Sequence, residues 1–164
     1  SEDGKTLKKG RPVSINSKRL PICNYGKTKS EFSDLVKILS KKFNAHTKLL
    51  RAFPVFGLDE KKKRLFPSLL QAIKEKKNFI INNSTEIRDF SNIDDVVKKI
   101  LKATYFPRKI DKLYEEWHLA SGKAIKVSKF AREVCNKYGY KQKLILKKKN
   151  MLLHHISDKK SIWR

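Results

Sequence analysis

Two residues near the start of the sequence, Tyr25 and Lys29, have the types and spacing of an acid/base pair. Residues four apart are neighbours on one face of an α-helix, so the phenol and the ammonium would lie side by side. The ammonium favours the phenolate form, which lets such a tyrosine exchange a proton with a carbinol or a carbonyl. The spacing alone is weak evidence, because Tyr105 and Lys109 repeat it across Pro107, which disfavours a helix.

The remaining reactive side chains predict no metal site. Cys23 and Cys135 form no Cys-x-x-Cys pair, and adjacent residues such as His154 and His155 do not share a helix face. Two isolated cysteines are typical of a reducing compartment. Arg51 lies in a predicted strand, where we expect it either to bind a ligand or to face an acidic partner in the sheet.

Composition predicts one globular, strongly basic domain. The chain has 164 residues, of which 39% are hydrophobic, and its formal net charge is +24. That charge exceeds the range typical of a small domain, so non-specific binding to polyanions is expected. The sequence shows neither an apolar run long enough to span a bilayer nor the pattern of a secretory signal, and we expect a soluble, cytoplasmic protein without a membrane partner.

Hydrophobic periodicity predicts helices alternating with short strands after a loop or arm of residues 1–24. We expect helices at about 27–43, 66–76, 94–107 and 128–138, and strands at 47–53, 79–81, 116–120 and 144–146, with a last helical turn within 158–164. Asp94 is expected to cap the third helix, because its carboxylate can accept from the free amides of the first turn. The alternation predicts the α/β class.

Five segments carry a resemblance to a known family. The most specific is Arg88-Asp89-Phe90 followed by Asp94-Asp95-Val96-Val97. The others are residues 24–32 around Tyr25, 50–57 (LRAFPVFG), 65–70 (LFPSLL) and 119–123 (LASGK). In order and spacing they resemble the carboxyl-terminal portion of the extended short-chain dehydrogenases/reductases, the NAD-dependent nucleotide-sugar epimerase/dehydratase family.

The resemblance implies a partial Rossmann-type fold, in which residues 25–164 supply the last strands of the sheet and a small substrate-binding lobe. It implies the carboxyl-terminal part of an NAD(P)-dependent nucleotide-sugar epimerase, dehydratase or reductase. The six glycines include no Gly-x-Gly-x-x-Gly loop, so these residues lack the turn that binds a dinucleotide pyrophosphate, and we expect the chain not to be self-sufficient.

The resemblance also implies a role for each site residue. Tyr25 would be the catalytic acid/base, and Lys29 would support it while holding the nicotinamide ribose of NAD or NADP, so both residues would contact the cofactor. Arg88 would bind the pyrophosphate of the nucleotide-sugar through a bidentate, charge-assisted contact. Phe66 lies in the segment that resembles the helix over the sugar nucleotide, and we expect it to bind substrate.

Four other positions have structural roles or depart from the family pattern. We expect Asp94 and Asp95 to provide a helix cap and a fold-defining hydrogen bond rather than catalysis. Pro54 and Phe56 stand where many members of the family have asparagine and tyrosine. The serine or threonine that polarises the substrate oxygen would precede Tyr25 by enough residues to fall at or before the start of the sequence.

A second interpretation starts from the charge. The chain could be a non-catalytic relic of the same fold that binds RNA or another polyanion in a ribonucleoprotein assembly, because nucleic-acid affinity grows with each neutralised phosphate. Under either interpretation a partial sheet exposes an apolar face and an unpaired strand edge. We therefore expect a missing amino-terminal half or a homo-oligomer partner to cover them.

Overall fold

A computed structural model describes residues 11–105, 112–148 and 155–163. The helices are α1 (Asn24–Lys42), α2 (Leu65–Lys74), α3 (Ile93–Tyr105) and α4 (Val127–Lys137). The strands are β1 (Thr47–Ala52), β2 (Val55–Phe56), β3 (Phe79–Ile81), β4 (Ile87–Asp89), β5 (Ser91–Asn92), β6 (Tyr114–Leu119), β7 (Ala124–Lys126) and β8 (Leu144–Leu146). A 3-10 turn at Lys159–Ser161 falls within the predicted last turn. The alternation confirms the α/β class.

The strands pair two by two. The longest pair is β1 with β6, parallel, in a register that runs from Thr47 opposite Tyr114 to Ala52 opposite Leu119. The pairs β2–β5 and β3–β8 are also parallel, whereas β4–β7 is antiparallel. The carboxyl ends of β1 and β6 therefore meet at one edge, which is where α/β proteins place their ligands.

The larger core lies between α2 and α4. Phe130, Ala131 and Val134 of α4 are buried there, as their helical spacing predicts. Phe66 of α2 packs against them, and Phe90 stacks on Phe130 with ring centroids 4.0 Å apart. The turn after α4 requires a left-handed backbone, which Gly139 supplies with φ of +65°.

A second core cluster fixes α3 against the β1–β6 pair. Val96 and Ala103 of α3 pack with Leu119 of β6 and with Trp163, which is 1% exposed. The segment 155–163 is tied to the rest of the fold by isolated bridges, one of which pairs His118 with Ile162. The carboxyl-terminal segment thereby closes the fold over the end of β6.

Helix α1 packs on the sheet through small residues rather than through its apolar stripe. Its buried residues are Gly26, Ser33 and Ser40, and Ser40 Oγ lies 2.7 Å from the carbonyl oxygen of Leu113. The large apolar residues of this helix are mostly exposed, including Phe32 at 52% and Leu35, Ile38, Leu39 and Phe43. The predicted helix is confirmed, but its apolar side faces away from the sheet, as interaction surfaces do.

The start of α3 corrects one prediction. The cap is Asn92, whose side-chain Oδ1 accepts from the backbone N–H of Asp94 at 2.8 Å. Asp94 lies inside the first turn together with Asp95, where a carboxylate interacts favourably with the helix dipole. The prediction that Asp94 caps the helix was therefore wrong. The helix ends at Tyr105, and Pro107 lies outside the described residues.

The described part of the predicted arm is packed against the chain's other end. Val13 is fully buried, its N–H donates to the Ile156 carbonyl at 2.8 Å, and it forms a parallel bridge with Ser157. Residues 1–10 of the predicted arm lie outside the described residues. Across the described ranges, none of the helices has both the length and the apolar character needed to cross a bilayer.

Candidate functional site

A cavity of about 890 Å³ opens where the carboxyl end of β1 meets the first turns of α1. Its lining includes Tyr25, Lys29 and Arg88, three of the four site residues predicted from the sequence, together with His118 and His155. Helix α1 brings the first two, β4 brings Arg88, and β6 brings His118. Residues separated by more than 60 positions in the sequence thus share one polar and aromatic pocket.

Tyr25 and Lys29 are neighbours in the first turns of α1. The Lys29 Nζ atom lies 5.7 Å from the centroid of the Tyr25 ring and 5.9 Å from that of Phe32, both within the range of a cation–π contact. Tyr25 is 67% exposed and lines the cavity. The arrangement supplies an ammonium beside a phenol, as the spacing of four predicts.

Arg88 is held at the cavity wall by a carboxylate. Its Nε and Nη2 atoms donate to Glu86 Oε2 at 3.1 and 2.5 Å. The Arg88 side chain is 29% exposed, whereas that of Glu86 is 4% exposed. A planar guanidinium with one anchored edge can still offer its other donors to an anionic ligand.

Phe66 lies one layer behind this cavity. It is 6% exposed and makes an edge-to-face contact with Phe56, with ring centroids 5.2 Å apart. It lines a second, smaller cavity of about 450 Å³, and it is not among the residues that line the first. Phe56 lines both cavities and therefore separates Phe66 from Tyr25, Lys29 and Arg88.

Arg51 has the acidic partner that was one of its two expected roles. Its Nη2 lies 3.0 Å from Glu116 Oε2 on the neighbouring strand, and the two side chains are 12% and 15% exposed. The hydroxyl of Tyr114 also donates to Glu116. Burial, followed by this hydrogen bond, raises the pKa of Tyr114 well above its usual value. Arg51 lines the cavity as well, so its positive charge contributes to the wall.

Asp89 makes the hydrogen bonds that define this part of the fold. It is 1% exposed and accepts from Ser121 N at 2.7 Å, Ser121 Oγ at 2.6 Å and Gly122 N at 2.8 Å. The sequence predicts such a role for Asp94 and Asp95, which instead are exposed in α3. The sequence signal is the position of Asp89 within the apolar stretch that contains Ile87 and Phe90, since a carboxylate buried there requires hydrogen-bond partners.

His118 is a cavity residue that the sequence did not single out. It is 1% exposed, and its Nδ1 lies 2.9 Å from Ser157 Oγ. Burial, and then the charge of Arg51, lower the pKa of His118 to about 4. It is therefore a neutral hydrogen-bonding group at neutral pH. In the described ranges no cluster of three His, Cys, Asp or Glu side chains could hold a metal ion.

Comparison with protein families identifies one match. A model of the NAD dependent epimerase/dehydratase family matches residues 9–117. This range contains the Tyr25 segment, the Pro54–Gly57 turn and the Arg88-Asp89-Phe90 motif. A search of curated proteins finds no match.

Solved structures show the same fold at low identity. UDP-glucuronic acid 4-epimerase from Bacillus cereus, with NAD and a fluorinated UDP-sugar, is 22% identical, with a TM-score of 0.82 over 98% of this chain and 51% of that one. UDP-glucose 4-epimerase from Thermotoga maritima, with UDP-glucose, is 18% identical, with a TM-score of 0.77 over 90% and 48%.

RMD from Pseudomonas aeruginosa, complexed with NADPH, is 14% identical, with a TM-score of 0.77 over 93% of this chain and 53% of that one. The chain thus spans about half the length of the solved structures it matches. The likeness confirms the predicted partial Rossmann-type fold.

Proposed function

The chain belongs to the NAD dependent epimerase/dehydratase family, and we propose that it is the carboxyl-terminal part of an NAD(P)-dependent nucleotide-sugar epimerase, dehydratase or reductase. The observation that supports this function is the shared cavity of Tyr25, Lys29 and Arg88 at the end of β1. The matched structures contain UDP-sugars, NAD or NADPH, which is the chemistry we assign to this cavity. Residues 25–164 would then be one part of the domain.

In this proposal Tyr25 moves a proton at the substrate hydroxyl or carbonyl oxygen. Lys29, whose ammonium lies 5.7 Å from the centroid of the Tyr25 ring, holds the nicotinamide ribose and keeps a positive charge beside the acid/base residue. Arg88 binds the substrate's phosphates, because a guanidinium forms paired, charge-assisted hydrogen bonds to phosphate oxygens. Phe66 supports substrate binding through Phe56, the wall it packs against.

The fit of these residues to NAD(P) is partial. Tyr25 and Lys29 would hold the nicotinamide ribose, and the bound cofactor would supply or accept hydride. The chain has no glycine-rich turn for the cofactor's pyrophosphate, so these residues fit only its nicotinamide end. We therefore propose that activity requires an amino-terminal half or a partner chain. Two features support such a partner. The apolar side of α1 is exposed, and among the described strands β1 and β6 pair only with each other, which leaves their outer edges without a neighbouring strand.

Calorimetric titration of the chain with UDP tests the proposal. Saturable binding is expected, and Arg88→Gln should weaken it by about tenfold, the loss typical of one charge-assisted phosphate contact. Arg132→Gln is the matched control, because Arg132 is an exposed arginine of α4 that lines neither cavity. Equal affinities in the parent and in Arg88→Gln would refute the assignment of Arg88.

Nucleic-acid binding is a second candidate function, favoured by lysines gathered at the start of the β3–β8 pair. The register places Phe79 opposite Leu144, and Lys143 N donates to Asn78 Oδ1 at 3.0 Å. Tyr140 joins the two segments by donating to the Lys77 carbonyl at 2.9 Å. We define the basic surface as the exposed lysines of the two chain segments that these contacts join: Lys74, Lys76, Lys77, Lys137, Lys141 and Lys143. Nearby carboxylate is supplied by Glu75, which pairs with Lys77 at 2.9 Å.

The salt dependence of RNA binding separates the two candidates. If the basic surface binds single-stranded RNA, log affinity falls linearly with log salt, with a slope set by the phosphates neutralised. Replacing Lys76, Lys141 and Lys143 by glutamine should reduce that slope, while Arg88→Gln leaves it unchanged. Binding that is insensitive to the lysine substitutions would exclude this surface.

A further inference from the structure

Glu86 is a buried carboxylate at the edge of the proposed site. The residue is 3% exposed and lies immediately before the first residue of β4. Its backbone is fixed on both sides, because its N–H donates to Asn83 O at 3.1 Å and its carbonyl accepts from Val127 N at 2.8 Å. The start of α4 and the turn before β4 therefore determine where the Glu86 side chain begins.

The carboxylate of Glu86 forms an ion pair with Arg88. Burying an ionised carboxylate is costly unless a partner compensates it, and both Arg88 contacts fall on the same oxygen, Oε2. The Arg88 backbone is held independently, opposite Ile125 in β7 and in a bridge with His155. With both backbones fixed, the ion pair leaves the guanidinium little rotational freedom.

The ion pair uses one edge of the guanidinium and leaves the other. Nε and Nη2 bind Glu86, whereas Nη1 has no hydrogen-bond partner within the described residues. Arg88 lines the first cavity and Glu86 does not. A guanidinium has donors on two edges in a rigid fork, so anchoring one edge orients the other.

We propose that Glu86 is a positioning residue for phosphate binding, which turns the free edge of Arg88 toward the diphosphate of a nucleotide-sugar. The identity of the ligand rests on the proposed function, whereas the orientation of Arg88 by Glu86 rests on the contacts in the structure. A role in charge balance alone would predict that the affinity for a diphosphate rises when the Glu86 charge is removed. A positioning role predicts that the affinity falls, because Arg88 loses its preferred orientation.

The first measurement needs no ligand. The Arg88 Nε–H resonance of the 15N-labelled chain is expected to exchange with water much more slowly than that of the exposed Arg132. In Glu86→Gln, which keeps the shape and removes the charge, the Arg88 resonance should lose most of this protection. Equal exchange of Arg88 and Arg132 in the parent would overturn the positioning role without any variant.

The second measurement is titration with UDP. Glu86→Gln is expected to weaken binding by about five- to tenfold, comparable to Arg88→Lys, since a lysine cannot present a planar fork. Glu133→Gln is the control, as Glu133 is exposed on α4 outside the first cavity. Unchanged or tighter binding by Glu86→Gln would overturn the proposal. If the parent itself fails to bind UDP, the proposed function is wrong. The exchange measurement then decides by itself whether Glu86 fixes the orientation of the Arg88 guanidinium.

Discussion

Replacement of Asp89 by asparagine gives the sharpest test of how this fold is held around its site. In the structure Oδ1 accepts from the N–H and hydroxyl of Ser121, and Oδ2 accepts from Gly122 N. An asparagine has the same shape but one acceptor oxygen. If that oxygen takes the Ser121 contacts, the amide NH2 faces the Gly122 N–H, and two donors oppose each other.

The expected loss of stability follows from those contacts. Leaving one buried N–H unsatisfied costs about 1–3 kcal/mol, and exchanging two charge-assisted hydrogen bonds for neutral ones costs about 1 kcal/mol more. Asp89→Asn should therefore lower the free energy of unfolding by about 2–4 kcal/mol. Asp94→Asn is the matched control: its carboxylate is exposed in the first turn of α3 and contributes at most about 1 kcal/mol through the helix dipole.

Urea unfolding followed by far-ultraviolet circular dichroism measures both losses. The midpoint for Asp89→Asn should fall clearly below that for Asp94→Asn, with similar dependence on urea in both. Losses that agree within about 0.5 kcal/mol would contradict the role of Asp89, because they would mean that the Ser121-Gly122 turn does not depend on a buried charge.

Three further predictions concern local contacts. Asn92→Ala should lower the free energy of unfolding by about 1 kcal/mol in urea titrations, because Asn92 caps α3; no loss would contradict this role. The pKa of His118 is lowered to about 4, so as pH falls from 6.5 to about 4 the histidine is protonated in the unfolded chain but stays neutral in the folded one. Over that pH range the free energy of unfolding of the parent should therefore fall by roughly 3 kcal/mol more than that of His118→Gln. Identical pH profiles of stability would contradict burial of a neutral His118. Gly57→Ala places a Cβ 2.5 Å from Ile93 Cγ2 and should cost about 1–3 kcal/mol, most of it recovered in a double variant with Ile93→Ala; additive losses would show that the two side chains do not meet.

The elements with a strong period could be predicted from the sequence. Helix α4 follows from Phe130, Ala131 and Val134, because residues at that spacing share one face and the core covers that face. The strands β1 and β6 were also predicted, at 47–53 and 116–120, but their pairing, which joins residues more than 60 positions apart, was not. The family could be predicted because the order and spacing of the motifs are properties of the sequence and need no knowledge of tertiary contacts.

The orientation of α1 and the cap of α3 could not be predicted. Periodicity shows that α1 has an apolar stripe, but not that Ser33 and Ser40 would be the residues against the sheet. Asn92 and Asp94 are both good capping residues two positions apart, and helix ends vary by that much. In each case the deciding contact lies in another part of the chain.

The site itself was only partly predictable for the same reason. Tyr25, Lys29 and Arg88 belong to motifs, so the sequence marks them, whereas Glu86 and His118 acquire their surroundings only from tertiary packing. Phe66 shows the converse, since its motif suggests substrate contact and the fold places it behind Phe56. Types and spacing identify candidate residues, and packing decides which ones face the cavity.

Mapping of UDP on the folded chain by NMR shows whether Tyr25, Lys29 and Arg88 share one binding site. If Tyr25, Lys29 and Arg88 form one nucleotide-sugar site, saturating UDP should shift the resonances of the cavity residues together, with a single affinity. The exposed resonances of α4, such as that of Arg132, should not move. Shifts confined to the basic surface around Lys76 and Lys143, or no saturable shift in the cavity, would contradict a nucleotide-sugar site at Tyr25, Lys29 and Arg88.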